Sequence, residues 1–229
     1  MSPALPIDPP TLAAALRPRW RGWLHAGTFP AAVAAGTVLT ALAPTTAATV
    51  AAAVFTVTAA LLFGTSALYH RRVWSPRANA VLRRLDHSNI FLIIAGTYTP
   101  IAVTTLPPGR AQVLLWLVWS GAVAGIAFRV FWVGAPRWLY TPIYVALGWV
   151  AVGYLGDITR GGGLAVAVLV VVGGLLYTAG AVVYGLKRPN PSPRWFGFHE
   201  VFHAFTVVAF AAHYVGISLA TYGVHATAA

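Results

Sequence analysis

The sequence predicts an all-α integral membrane protein, a seven-transmembrane helix bundle with a cytoplasmic N-terminus and an extracytoplasmic C-terminus. Three observations carry this. First, 59% of the 229 residues are hydrophobic and only 8% are charged, with a mean hydropathy of +0.74. A soluble domain carries about 25% charged residues because its surface must face water, so a soluble enzyme, a coiled coil and a disordered tail are excluded. Second, the apolar residues fall into seven runs, each long enough for a bilayer helix. Third, the basic residues gather on one side of those runs.

Taken in order, residues 1–24 form a polar, Pro- and Arg-containing arm, with an interfacial helix expected around Leu12–Trp23. The runs are 25–43, 47–70, 86–106, 111–132, 139–157, 162–186 and 197–221. The transmembrane domain is thus 25–221, and 222–229 is a short external tail. Breaks fall at Pro44, in the Arg-rich stretch 71–84, at Pro107-Pro108-Gly109, at Pro136, at Gly161-Gly162-Gly163 and at Pro189-Asn190-Pro191. Proline and glycine are the expected punctuation between helices. The first run ends in Ala41-Leu42-Ala43, a small-residue pattern compatible with signal cleavage, but it exceeds the usual apolar length of a signal and is read as a retained helix.

Of the 15 Lys and Arg, all but Arg110 and Arg160 fall on the side that holds the N-terminal arm and the 71–84 stretch, with Arg129 and Arg137 counted in the loop between the fourth and fifth helices. That asymmetry places this side in the cytoplasm and the protein in a cell membrane, multi-pass. A net charge of +11 on a soluble protein would suggest nucleic acid; here it serves orientation and anionic lipid headgroups, so the expected partners are membrane lipids. With no cysteine, disulfides and thiolate metal sites are excluded.

The orientation makes polar residues converge. The second run ends at Ser66-Ala67-Leu68-Tyr69-His70, the third begins with Leu85-Asp86-His87, and the seventh with His199-Glu200-Val201-Phe202-His203. Three helices therefore bring ionisable residues to one depth, just inside the cytoplasmic face. His199 and His203 are one turn apart, with imidazoles about 6 Å apart along the axis, able to bind one metal. Ser66 and His70 share a face in the same way. His70 would complete a set of three with one open position, the pattern of a catalytic zinc, and Asp86 would hold water or orient a ligand. A single intramembrane histidine is more often a packing residue. The matching depth of all five favours the metal, because ionisable groups inside membranes are costly and mark function.

Other residues weaken under the same test. His87 points about 100° away from Asp86 and reads as interfacial. His213 lies about 15 Å deeper than His203, too far for one ion. His25 and His225 read as solvated, and Glu200 as the partner of a loop arginine. Trp20, Trp23, Trp74, Trp138 and Trp195 sit near run ends, as interfacial belts do. Pro100 should kink the third helix, either lining a cavity or serving packing alone.

Ser66-x-x-x-His70, then Leu85-Asp86-His87 followed by Ala95-Gly96-Thr97-Tyr98-Thr99-Pro100, then His199-x-x-x-His203, resemble the bacterial hemolysin III branch of the progestin and adipoQ receptor family. The resemblance covers roughly residues 20–221. It implies a seven-helix bundle with zinc near the cytoplasmic face, held by His70, His199 and His203, with Asp86 at the zinc-bound water and Ser66 beside it. The wider superfamily includes alkaline ceramidases, and the bacterial branch is linked to cytolysis and membrane homeostasis.

The function expected is therefore a zinc-binding membrane protein that acts on or senses lipid, hydrolysing an amide or ester bond if it is an enzyme. Zinc lowers the pKa of water toward 7 and polarises a carbonyl. Asp86 would accept and return the proton, and Ser66 would hydrogen-bond the developing oxyanion. The alternatives are a non-catalytic homeostasis factor or receptor with a structural zinc, and a pore-forming hemolysin. No helix carries a stripe of charged residues through its outer half, as a pore would need.

Overall fold

Prolines and small hydroxyl residues set where the helices begin. The computed structural model describes residues 17–132 and 134–223. Expectations for residues 1–16, for 224–229 and for His225 lie outside these. Helix α1 spans Trp23–Ala41. Thr45 caps α2 (Thr46–Arg71), its hydroxyl accepting from the Ala48 N–H at 3.2 Å. Ser75 caps α3 (Pro76–Thr105), with Pro76 in the first turn where its missing N–H costs nothing. Pro107 and Pro108 open α4 (Pro108–Phe131) in the same way. Pro136 precedes α5 (Arg137–Gly148), which passes through a 3₁₀ segment, Trp149–Tyr154, into α6 (Leu155–Leu186). Helix α7 spans Phe198–Gly223.

Six of these helical stretches are long and apolar enough to cross a membrane, Arg137–Leu186 being counted as one. The chain is a multi-pass membrane protein. Within that stretch the backbone leaves helical geometry at Gly163, at φ 85° and ψ 167°, a conformation that glycine adopts without steric cost. The Tyr140 hydroxyl lies 3.0 Å from that of Tyr184, and Trp149 Nε1 donates to Thr178 Oγ1 at 2.9 Å. Residues far apart along the stretch therefore stand side by side, and it folds back on itself around Gly163.

Phe55, Phe63, Phe91, Leu114 and Ile217 fill the interior, with Ala52, Ala59, Ala95 and Ala122 letting helices approach closely. Val113, Trp116, Phe131, Leu164 and Val208 face outward, as a lipid-facing surface requires. The Tyr98 hydroxyl donates to the Gly148 carbonyl at 2.6 Å and accepts from the Ala151 N–H at 2.7 Å, pinning the 3₁₀ segment to α3. At one end of the bundle Asp157 pairs with both Arg110 and Arg160. The remaining described arginines collect at the other end, with the termini of α2, α3, α5 and α7.

Four expectations need correction. Helix α3 starts at Pro76, not near 86, because hydropathy marks the part of a helix that meets lipid and not where its hydrogen bonding begins. The fifth run is an α-helix only to Gly148 and then tightens to 3₁₀. Residues 17–22 are turns, not an interfacial helix. Arg129, counted among loop residues, lies inside α4 and is 1% exposed, its guanidinium 4.3 Å above the Tyr140 ring. A ring face replaces the solvent that a loop would have supplied.

Candidate metal centre

The C-terminal turn of α2 and the first two turns of α7 meet at the arginine-rich end. His70 comes from the former, His199 and His203 from the latter. One nitrogen from each of the three imidazoles lies within 4.8 Å of the other two. His70 Nε2 and His199 Nε2 are 3.2 Å apart. Two nitrogens on one tetrahedral zinc, each about 2.0–2.1 Å from it, stand about 3.3 Å apart, so this spacing suits a shared ion. His70 and His203 are buried. Three imidazole nitrogens converging on one point form the donor set that a borderline metal prefers. The residues fit a divalent metal.

Asp86, from α3, places Oδ2 3.7 Å from His70 Nε2. Ser66, one turn before His70, is buried and lines the same cavity. All five residues singled out from the sequence are thus brought together. The cavity they border has a volume of about 540 Å³, within the range of roughly 300–1,000 Å³ common to small-molecule sites. Ile90, Ile94, Ile101, Leu155 and Val170 line its depth, and α2, α3, α5, α6 and α7 all contribute to its wall.

Glu200 turns away from the imidazoles, as expected, and pairs with Arg21 at 2.6 Å while itself 1% exposed. Its other oxygen accepts from the Gly197 N–H at 2.9 Å, closing the start of α7. Arg21 stands before α1; burial holds its guanidinium below the ordinary value, and the Glu200 carboxylate pulls the other way. His87 is half-buried, its Nδ1 2.7 Å from the Arg83 carbonyl, and it lines the cavity instead of facing an interface. His213 stays apart from the three, with Nε2 3.1 Å from the Val170 carbonyl.

His25 corrects a further expectation. Read as solvated from its place at the start of a helix, it is 3% exposed. Its ring stacks on that of His203, with centroids 3.8 Å apart and planes 7° from parallel, and meets the Phe63 ring edge-on. Nothing in the spacing of α1 signals this, because the contact joins the first helix to the last.

Fold and site define a polytopic helical membrane protein with a buried three-histidine cluster at the polar end of an apolar cavity. The haemolysin-III-related family model matches residues 14–214. The chain belongs to that family. It is 33% identical over 162 residues to "Hemolysin-3 homolog" of Bacillus subtilis (strain 168), covering 69% of this chain and 71% of the relative. It is 36% identical over 143 residues to "Hemolysin-3" of Bacillus cereus, covering 61% of this chain and 64% of that protein.

Proposed function

We propose that this is a zinc-dependent membrane protein that hydrolyses an amide or ester bond of a membrane lipid. The observation that carries the reading is the meeting of His70, His199 and His203 beside Asp86 at the polar end of an apolar cavity. Zinc, when bound, supplies Lewis acidity and makes water acidic enough to ionise near neutral pH. His70, His199 and His203 would hold the metal. Asp86 takes a proton from the attacking water and returns it to the leaving group. Ser66 donates a hydrogen bond to the oxygen that gains charge. The apolar wall around Ile90, Ile94 and Val170 receives the acyl chain and excludes water.

In this reading the chain crosses the membrane seven times, with the N-terminus and the metal centre on the cytoplasmic side and the C-terminus outside. The fold-back at Gly163 supports the seventh crossing, and the clustering of arginines supports the orientation. The likeness of motifs to the progestin and adipoQ receptors supports the lipid chemistry.

The test is a broad panel of amide- and ester-linked lipids given to purified protein of known zinc content, with His199→Ala as control. Zinc-dependent product that His199→Ala fails to make supports hydrolysis. A protein holding one zinc per chain, with no product from any lipid but with a lower thermal midpoint once stripped, instead supports a structural zinc in a homeostasis factor or receptor.

A further inference from the structure

We infer that the segment from Arg21 to His25 is a template that positions all three metal ligands while supplying none of them. The inference rests on the metal reading above and goes beyond it, because it concerns residues outside the ligand set.

His70 and His203 each lie against this segment, and His199 is tied to it through its neighbour Glu200. Gly22 adopts a left-handed backbone at φ 79°, and a Cβ there would stand 2.9 Å from His70 Cβ. The backbone of the segment therefore lies directly on His70. Arg21 pairs with Glu200, the residue after His199, and so holds the first turn of α7. His25 lies flat against His203.

The residues leading into it, Arg17 to Trp20, and Trp23 within it are strapped across the ends of both ligand-bearing helices. Arg17 Nη1 donates to the Arg72 carbonyl at 2.7 Å, just past α2. The N–H groups of Arg19 and Trp20 donate to the carbonyls of Arg194 and Trp195 at 3.0 and 3.1 Å, just before α7. The Arg71 guanidinium covers the Trp23 ring at 3.6 Å, and that of Arg19 covers Trp195 at 4.2 Å. Together with these leading residues the segment bridges α2 and α7, whose relative position sets the distance from His70 to His199.

His25 invites assignment as a fourth ligand, and the geometry argues against it. A metal bound through an imidazole nitrogen lies in the plane of that ring. The rings of His25 and His203 are nearly parallel, so an ion in the plane of one stands well out of the plane of the other. Neither nitrogen of His25 has a hydrogen-bond partner among the described residues. No hydrogen bond sets its orientation, so the ring is held by its faces and edges, against His203 and Phe63. By the same contact it fixes the plane in which His203 presents its nitrogen. Outer-shell groups that orient metal ligands by hydrogen bonds typically contribute about 10- to 100-fold in affinity, and the stacked ring is expected to act on the same scale.

The experiment is a zinc titration of purified full-length protein against a chromophoric competitor, with stoichiometry and metal-free thermal midpoint read on the same samples. His25→Ala and Arg21→Gln should keep one zinc per chain and bind it about 10- to 100-fold more weakly. His25→Phe retains a ring to stack and should stay within a few-fold of wild type. Gly27→Ala, with open space around the added methyl, should match wild type. If Arg21→Gln fails to fold, Arg21→Gln with Glu200→Gln removes both charges together, which is tolerated better than removing one, and should show the same weakening. Wild-type affinity in His25→Ala, or in the folded Arg21 variant, overturns the template. Loss of the metal in His25→Phe to the extent seen in His203→Ala makes His25 a ligand and also overturns it. A wild-type protein without affinity for zinc overturns both the template and the metal reading.

Discussion

His70 Nε2 stands 3.2 Å from His199 Nε2, although 129 residues separate them in the chain. Two imidazoles held this close make either a single hydrogen bond or, with His203, a site for a cation. The choice between these decides what the buried polar end of the bundle is for.

Ligand substitutions should be graded. His70→Ala, His199→Ala and His203→Ala each remove a donor and should strip most of the zinc from purified protein. Asp86→Asn keeps the volume and leaves the donors in place; it should retain zinc with a loss of about 10- to 100-fold in affinity or activity. Elemental analysis with equilibrium competition reads both. Equal zinc in wild type and His203→Ala would remove His203 from the set.

Metal removal should lower thermal stability, because a ligand bound only to the folded form stabilises it by about 2.7 kcal/mol at 100 times its Kd. Unfolding in detergent should move to lower temperature with chelator and return when zinc is restored. His203→Ala should show neither response. Superimposable wild-type curves with and without zinc would mean that the three histidines serve packing alone.

Topology can be read cleanly because the chain has no cysteine. Single cysteines at Arg72 and Lys187 should react with an impermeant thiol reagent only from the cytoplasmic side, and one at the exposed Arg160 only from the outside. Labelling of positions 160 and 187 from the same side would show that the fold-back at Gly163 does not return the chain across the membrane.

Tyr98→Phe tests the brace between α3 and the 3₁₀ segment. The change leaves the Ala151 N–H without its acceptor and the Gly148 carbonyl without its donor. A buried group left unsatisfied costs about 1–3 kcal/mol. The thermal midpoint should fall while zinc affinity stays near wild type, since the brace touches no ligand. An unchanged midpoint would mean that water or a shifted backbone replaces these bonds.

The sequence by itself determined the membrane character, the apolar runs and most of their ends. These depend on local quantities: transfer of side chains into lipid and the missing N–H of proline. It also picked out His70, His199, His203, Asp86 and Ser66, because one-turn spacing and matching depth are read along a helix. Only the tertiary structure decided how α1 joins the site. His25 looked like a solvated helix start, and Arg129 like a loop charge, because hydropathy registers what a residue prefers and not what packs on it. The ring of His203 over one and the ring of Tyr140 beneath the other come from distant parts of the chain. Such contacts arise when helices choose neighbours, a choice set by shape and backbone approach across the whole bundle, which no periodicity within a single helix encodes.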